Sequence, residues 1–309
     1  MILDCDPGHD DALALLLAAQ HAELLGVTTV SGNAPLTATT RNALVTLQLG
    51  AVDAPVHAGA AEPLVGRPSY APDIHGESGL GGPALPELTR EPAGHDAVQF
   101  IVDTVRAVEG VWLVAVGPLT NVALALQRAP DLAGKLAGIS VMGGSTGPGN
   151  RTPTAEFNIW ADPEAAKVVF SSGARLVMCG LNLTHQFTLY EGDVAHIRGL
   201  GGRVPTFAAD LLDFYGHAYA DAFFGEVQCP LHDPCAVLAV THPDLLSTAP
   251  RHVAVETKGE YTRGMTVVDE RGRRARGAEP PNAEVAHTID RAAALKLLVE
   301  TFARYAPTV

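Results

Sequence analysis

The feature that most constrains this chain is an alternation of short apolar runs with longer amphipathic runs between Met1 and about Asn182. Short runs such as MILDCD and VWLVAVG predict strands, and runs such as DALALLLAAQ and AVQFIVDTVRAV predict helices. Repeated strand and helix units favour a mostly parallel sheet with helices on both faces. We therefore predict an α/β protein with a Rossmann-like open sheet.

The pattern changes after Asn182, where we expect extra helices and short strands. Helices are predicted at residues 207–224, 235–240 and 291–305, and strands in HVAVET and GMTVVD. Two segments rich in Gly and Pro, 63–86 and 143–153, are too long for plain connections and indicate functional loops. Because no repeat or linker marks a boundary, we predict a single domain over residues 1–309.

Charge and composition exclude several classes of protein. A net charge of -13 argues against nucleic acid as a partner and favours a small molecule. The apolar runs are shorter than the roughly 20 residues of a membrane helix, and the N-terminus lacks the basic region of a secretory signal, so we expect a cytoplasmic protein. The cysteines lack CxxC spacing and are predicted to be small buried residues: Cys5, Cys179, Cys229 and Cys235.

Aspartates crowd the end of the first predicted strand and the turn after it, in DCDPGHDD. Ligands of open parallel sheets bind outside the carboxyl ends of the strands, where this segment lies. Asp4 and Asp6 share one side of the strand, and Asp10 and Asp11 fall at the start of the first helix. One aspartate here would be an ordinary helix cap, but four repel one another unless a cation or protons intervene.

The type of ligand atom restricts the cation. Carboxylate oxygens without clustered Cys or His indicate calcium or magnesium rather than zinc. An EF-hand is excluded, because counting from Asp4 places His9 at the position of its Gly and Leu15 at the position of its Glu. The turn also lacks the GxGxxG and GxxxxGK[ST] patterns of nucleotide-binding loops.

The stretch DCDPGHDDALALLLA resembles the signature of the nucleoside hydrolases, calcium-dependent enzymes that split ribonucleosides into base and ribose. Further motifs follow in the family's order: SGNAPL, TRNAL, HGESGLGG, VGPLTNVA, MGG, GNRTPTAEFNIWADPEAA and LHDPCAV. The resemblance spans nearly the whole chain. It implies a hydrolase of the inosine-uridine preferring type, an N-glycosidase of purine or pyrimidine nucleoside salvage, which forms a homodimer or homotetramer.

Cleavage of an N-glycosidic bond passes through a ribosyl cation, so the enzyme must activate water, stabilise positive charge on the sugar and help the base leave. The resemblance implies that Asp6, Asp11, Asp233 and the backbone carbonyl of Val116 bind Ca²⁺, with room for a water and two ribose hydroxyls. Asp6 is the family's candidate general base on that water. The resemblance also implies that Asp4 does not bind the ion itself but supports the residues that do.

A second group of residues is implied to bind the substrate sugar. These are Asp10, Asn33, Met142, Asn150, Glu156 and Asn158. From the residues alone, Asn33 and Asn150 are equally well explained as turn residues beside Gly, and Met142 as a core residue. Glu156 and Asn158, two apart, are expected to present both side chains on one side of an extended segment.

Two histidines and two tyrosines are expected to act on the leaving base. His232, next to Asp233, is implied to be the general acid that protonates the base, or a base contact in some members. His75 lies in HGESGLGG, which resembles a flexible lid, and is implied to contact the base. Tyr215 and Tyr219 are four apart on a predicted helix and resemble base-contacting tyrosines, although core packing explains them equally well.

The preferred base is predicted from two smaller observations. Phe223 stands where the inosine-uridine branch can carry an arginine, which counts against activation of purines. The lid sequence also resembles pyrimidine-preferring members, so we expect uridine and cytidine as substrates. His9 lies inside the metal signature at a position the family varies, and it receives no role.

Two other functions stay open at this stage. One is a nonhydrolytic protein that binds or senses nucleosides on the same fold. The other is a metal-dependent phosphohydrolase, which is disfavoured because the sequence has no recognisable phosphate-binding lysine or Gly-rich cradle.

Overall fold

The computed structural model describes residues 1–271 and 276–306, apart from the side chain of Phe224. In chain order the strands are β1 (Ile2–Cys5), β2 (Gly26–Thr29), β3 (Val56–Ala58), β4 (Trp112–Ala115), β5 (Gly138–Met142), β6 (Leu176–Cys179), β7 (Thr188–Leu189), β8 (Cys229–Pro230), β9 (Leu246–Arg251), β10 (Val253–Val255), β11 (Thr266–Val268) and β12 (Ala283–Ile289).

The helices alternate with these strands over the first half of the chain. The α-helices are α1 (His9–His21), α2 (Leu36–Leu49), α3 (Pro72–His75), α4 (Ala97–Ala107), α5 (Thr120–Arg128), α6 (Leu132–Lys135), α7 (Phe157–Ala161), α8 (Pro163–Phe170), α9 (Leu181–Thr184), α10 (Glu191–Gly199), α11 (Arg203–Tyr219), α12 (Asp233–Thr241) and α13 (Arg291–Ala303). A π-helical turn, Ala220–Phe224, continues α11.

Within the described ranges the main sheet has the strand order β3-β2-β1-β4-β5-β6-β12-β9. Neighbouring strands pair in parallel from β3 to β12, and β9 is antiparallel to β12. The order 3-2-1-4-5-6 is that of the Rossmann fold, and it reverses direction at β1 and β4. The predicted fold is confirmed. The aspartate-rich turn follows β1 and therefore lies at this reversal, which is called the switch point of the sheet.

Alternating strand residues divide the core between the two faces of the sheet. Ile2 packs in the core beneath α4, α5 and α8, whereas Leu3 and Cys5 pack in the core beneath α1, α2, α12 and α13. Each of the four cysteines is free and buried, as predicted. Among the described residues, no helix has both the length and the apolar character needed to cross a bilayer.

The C-terminal part departs most from the prediction. HVAVET and GMTVVD do form strands, β10 and β11, but these pair only into a small separate sheet. The strands that extend the main sheet, β9 and β12, were not predicted, because β9 has a half-exposed edge and contains Pro250. The single-domain organisation stays a prediction.

Candidate active site

The turn between β1 and α1 folds around the carboxylate of Asp11. Asp11 Oδ1 accepts the backbone N–H of Asp6 at 3.1 Å, and Oδ2 accepts that of Gly8 at 2.9 Å. These bonds satisfy N–H groups at the start of α1 that would otherwise lack partners. Asn33, after β2, donates its backbone N–H to Asp6 Oδ2 at 2.6 Å and its amide to Asp11 Oδ2 at 3.1 Å. Two adjacent strand ends thus fix the aspartates at the switch point.

Asp10, Asp11 and Asp233 form a buried cluster whose carboxylate oxygens lie within 4.8 Å of one another. Asp10 and Asp11 stand in the first turn of α1, and Asp233 begins α12. Asp10 Oδ2 accepts the backbone N–H groups of His232 at 3.3 Å and of Asp233 at 3.4 Å. These bonds hold the start of α12 against the start of α1.

Burial and mutual repulsion make these carboxyl groups hard to ionise. Burial, followed by the charge of Asp11, raises the pKa of Asp10 to about 7. The same two causes raise the pKa of Asp6 well above its usual value, and burial with the neighbouring aspartates does so for Asp233. Among the described residues, Asp6 Oδ1 is buried without a hydrogen-bond partner. An all-oxygen cluster with an unpartnered oxygen fits a hard divalent cation.

The predicted metal ligands come together only partly as one group. Asp11 and Asp233 lie in the cluster, and so does Asp10, which we had predicted to bind ribose. Asp6 lies outside that group of three, but its backbone N–H donates to Asp11 Oδ1 at 3.1 Å, and the charge of Asp11, after burial, helps to raise the pKa of Asp6. Val116 lines the adjacent cavity. The choice of ligands among these groups stays a prediction.

Asp4 lies in β1, apart from the cavity. Its Oδ1 accepts the hydroxyl of Thr28 at 2.5 Å and the amide of Asn121 at 2.8 Å, and burial raises its pKa to about 7. Asn121 also donates to Thr29 O at 3.0 Å. Asp4 therefore ties β1 to β2 and to α5 behind the turn.

Glu156 and Asn158 stand at the start of α7, so the prediction of an extended segment was wrong. Glu156 is the N-cap, and its carboxylate accepts the N–H of Asn158 at 2.9 Å and that of Gly144 at 2.9 Å. Capping favours the helix here because it satisfies these N–H groups. Asn158 donates its amide to Val116 O at 2.8 Å and to Met142 O at 3.1 Å. Both side chains still reach the cavity.

His232 is held between two hydroxyl groups. Its Nδ1 lies 2.7 Å from Thr184 Oγ1, and its Nε2 lies 2.8 Å from the hydroxyl of Tyr219. Burial lowers the pKa of His232 well below its usual value, so the resting ring is neutral. Tyr215 donates its hydroxyl to Pro230 O at 3.1 Å. Both tyrosines are buried and also line the cavity, which reconciles the two explanations given for them.

The lid segment is fastened to the rest of the site. Asn42, in the TRNAL motif, donates its amide to Pro7 O at 3.0 Å and to Ser78 O at 2.7 Å. His75, at the end of α3, is buried and stacks on Tyr215 with ring centroids 5.7 Å apart. The lid thus places an imidazole directly beside α11.

A partly open cavity joins these groups. The predicted site residues that line it are Asp10, Asn33, His75, Val116, Met142, Asn150, Glu156, Asn158, Tyr215, Tyr219, His232 and Asp233. Asp6 and Asp11 are fully buried beneath them. Thus the cavity brings carboxylates, amides and imidazoles together.

Several residues that line the cavity were not predicted from the sequence. These are Ala71, Asp73, Ile74, Arg151 and Phe157. Arg151 and Phe157 fall inside the motif GNRTPTAEFNIWADPEAA, which was the available signal. The guanidinium of Arg151 lies 4.9 Å from the centre of the Trp160 ring, a cation–π contact at the cavity mouth.

Gly32 is expected to be essential for the position of Asp6. A Cβ at Gly32 would overlap Asp6 Oδ2 and would lie 2.8 Å from Pro118. We expect Gly32→Ala to weaken metal binding by about tenfold or more, since Asp6 must move. Calorimetric titration with calcium measures this effect. Gly134→Ala is the matched control, because nothing lies within 4 Å of its Cβ, and equal affinity in both variants would contradict the expectation.

Fold and site together define a class of protein: a Rossmann-like α/β enzyme with a carboxylate cluster and a cavity for a small polar substrate at the switch point. A family model described as inosine-uridine preferring nucleoside hydrolase matches residues 1–296. The chain belongs to this family, and it is a hydrolase of N-glycosidic bonds, as predicted from its motifs.

Relatives and solved structures agree with this assignment. The chain is 45% identical to the pyrimidine-specific ribonucleoside hydrolase RihA of Salmonella paratyphi A, with 99% of each chain covered. It is 46% identical to the RihA of Escherichia coli O7:K1, again with 99% of each covered. A purine-preferring ribonucleoside hydrolase from Gardnerella vaginalis matches with a TM-score of 0.91, 33% identity and 98% of each chain covered. The plant nucleoside hydrolase PpNRh1 matches with a TM-score of 0.89, 32% identity and the same coverage.

Proposed function

We propose that this enzyme hydrolyses pyrimidine ribonucleosides to free base and ribose with the help of Ca²⁺. The observation that carries the proposal is that one cavity brings a buried carboxylate cluster beside the amides of Asn33, Asn150 and Asn158 and the carboxylate of Glu156. Vicinal hydroxyls of ribose need such a set of oxygen and amide partners. The pyrimidine preference is supported by the relatives of highest identity described above, which are pyrimidine-specific.

Calcium would be held by Asp6, Asp11, Asp233 and Val116 O, with Asp10 close enough to contribute. Calcium favours six to eight oxygen ligands and tolerates irregular geometry, which suits ligands drawn from two helix starts and a backbone carbonyl. When bound, the ion supplies positive charge that acidifies a water and anchors sugar hydroxyls.

Asp6 is the proposed general base. Its Oδ2 is occupied by the N–H of Asn33, and its Oδ1 has no partner among the described residues. Oδ1 is therefore the atom that accepts the proton from water. Because Asp6 is fully buried, the group that it deprotonates must lie at the floor of the cavity.

Glu156 and Asn158 orient the sugar, since the capping bond of Glu156 and the bond from the Asn158 amide to Val116 O hold both side chains in one arrangement before the substrate arrives. Met142 lies beneath them, with its sulfur 3.4 Å from Asn158 Nδ2. This side of the cavity excludes water from the developing ribosyl cation while leaving carboxylate charge nearby.

A second group of cavity residues, His232 and Tyr219, assists departure of the base. A neutral His232 has one N–H, and its Nε2 lies 2.8 Å from the hydroxyl of Tyr219. We propose that His232 acts on the base through this hydroxyl, so that negative charge developing on the base is stabilised across a two-bond relay. Thr184 holds the other ring nitrogen and thereby fixes the ring orientation.

His232→Ala is expected to lower kcat for uridine and inosine by about a hundredfold, the lower end of acid–base contributions. Hydrolysis of p-nitrophenyl riboside should fall much less, because p-nitrophenolate leaves without a proton. Steady-state kinetics on the three substrates measures the difference. An equal loss on all three would remove His232 from leaving-group assistance.

The proposal is tested by release of ribose from uridine, cytidine, inosine, adenosine, guanosine and their deoxy forms, with calcium and after chelation. We expect calcium-dependent ribose from uridine and cytidine above the purine nucleosides. Faster purine hydrolysis would overturn the base preference alone. No ribose from any nucleoside despite bound calcium would indicate a binding or sensing protein.

A further inference from the structure

Arg151 is an exposed cationic side chain at the mouth of the cavity, and the proposed mechanism gives it no part. Among the described residues that line the cavity, it is the one Lys or Arg. Its guanidinium lies 4.9 Å from the centre of the Trp160 ring, and within the described parts of the chain it has no hydrogen bond and no ion pair. A guanidinium carries five N–H donors in a rigid fork. These donors are therefore available to a ligand in the cavity.

The fold holds Arg151 and its stacking partner in place. The backbone N–H of Arg151 donates to Ala155 O at 3.1 Å, and the N–H of Ala155 donates to Thr152 Oγ1 at 2.9 Å. Trp160 lies in α7 and packs against Gly264, where an added Cβ would lie 2.8 Å from Trp160 Cα. Because the guanidinium already rests on a fixed ring, it loses less conformational freedom when it binds an anion.

A series of contacts leads from the proposed calcium site to Arg151. Asn158 donates its amide to the backbone oxygen of Val116, which is a proposed calcium ligand, at 2.8 Å. The neighbouring residue, Phe157, donates its N–H to Asn150 Oδ1 at 2.9 Å, and Arg151 follows Asn150 in the chain. This wall of the cavity, residues 150–158, therefore begins beside the ion and ends at the mouth with a positive charge.

The residues proposed to act on the base stand on other elements. Tyr215 and Tyr219 lie in α11, and His232 directly precedes α12. In ribose, C1′ with the base and C4′ with the C5′ group flank the ring oxygen on opposite sides. With the vicinal hydroxyls at the ion and the base beside these rings, the C5′ group is directed to the wall of residues 150–158. Arg151 is thus placed to meet a charged group on C5′.

We propose that the enzyme also hydrolyses ribonucleoside 5′-monophosphates, whose phosphate binds to the guanidinium of Arg151. The fork of an arginine matches two phosphate oxygens at once. The inference rests on the proposed function, because the same site cleaves the same bond. The bond from C1′ to the base nitrogen breaks, the oxygen of water forms the new bond to C1′, and the base leaves with the electron pair and takes up a proton from that water. The products are free base and ribose 5-phosphate.

The test compares uridine 5′-monophosphate with uridine at saturating calcium, by release of ribose 5-phosphate and of ribose. We expect the unmodified enzyme to hydrolyse both. Arg151→Gln should lower the ratio of kcat/KM for the monophosphate to that for uridine by about thirtyfold, the effect of a charge-assisted hydrogen bond. Arg175→Gln is the matched control, because this guanidinium lies 5.1 Å from the Trp112 ring and is not among the residues that line the cavity. Its ratio should equal that of the unmodified enzyme.

Two results would overturn the inference: an unchanged ratio in Arg151→Gln, or hydrolysis of uridine alone by the unmodified enzyme. Failure of the unmodified enzyme to release product from either substrate would instead overturn the proposed function.

A binding measurement distinguishes Arg151 from calcium as the partner of the phosphate. Ribose 5-phosphate and ribose are titrated calorimetrically into the calcium-loaded enzyme. We expect ribose 5-phosphate to bind about tenfold more tightly than ribose in the unmodified enzyme and in Arg175→Gln, and no more tightly than ribose in Arg151→Gln. A preference that persists in Arg151→Gln would place the phosphate on another partner and contradict the proposal, as would equal binding of the two sugars by the unmodified enzyme.

Discussion

Replacing Asp6 with asparagine is expected to lower kcat for uridine by about a thousandfold or more, within the range of general-base catalysis. Asparagine keeps the shape of the side chain, and its carbonyl oxygen can still accept the N–H of Asn33, which now binds Asp6 Oδ2 at 2.6 Å. It cannot take a proton from water. Because Asp6 is also a proposed calcium ligand, the comparison is made at saturating calcium, where the loss should fall on kcat much more than on KM.

The folded state should survive the change. Burial and the charge of Asp11 raise the pKa of Asp6, so removing that carboxylate relieves repulsion in the metal-free protein. Thermal unfolding of the chelated variant should start no lower than that of the unmodified enzyme. Asp131→Asn, which alters an exposed aspartate paired with Arg106, is the matched control for activity. Retained turnover in Asp6→Asn would require another base.

Calcium is expected to raise the unfolding temperature strongly at pH 8 and weakly at pH 5. Metal ligands bind in their deprotonated form, so binding becomes stronger as the carboxyl groups lose protons. At free calcium of about 100 times Kd the stabilisation is about 2.7 kcal/mol. Calorimetry at the two pH values, with and without a chelator, measures the difference. An equal calcium shift at both values would show that the carboxyl cluster does not bind the ion.

The chelated protein should show the opposite dependence on pH. Burial raises the pKa of Asp4, Asp10 and Glu156 to about 7 in the folded state, against about 4 in an unfolded chain. Between these values the folded state binds more protons than the unfolded state, so the free energy of unfolding falls as pH rises. That stability is fully present below about pH 4 and is lost as the pH rises through 7. Buried His9, His75 and His232 have lowered pKa values and contribute the opposite dependence below about pH 6.5. A free energy of unfolding that rises with pH above about 6.5 would contradict the expectation.

The sequence predicts the fold well where local pattern and tertiary structure agree. Strands such as MILDCD are apolar because both faces of the sheet are covered, and this signal is visible in a short window. The edge strand β9, LSTAPR, has no such signal, because it is half exposed and owes its conformation to pairing with β12. Long-range pairing of this kind leaves little trace in local sequence.

The site was predicted by motif, and its geometry was not. The spacing of the aspartates predicts that they lie at a strand end. It does not predict that Asp233 joins them, because Asp233 begins α12, more than 200 residues away, and its backbone N–H donates to Asp10. The neutral state of His232 depends on its burial, and the helical start at Glu156 depends on a capping bond. None of these is visible in residue spacing.

The joining of α1 to α12 has a consequence for the order in which the enzyme matures. Asp10 and Asp11 leave the ribosome more than 200 residues before Asp233, and β12, which is flanked by β6 and β9, follows later still. A nascent chain therefore carries two of the three clustered aspartates well before the third has been made. The carboxylate cluster is complete only once α12 has been made, so a product truncated before Asp233 lacks it.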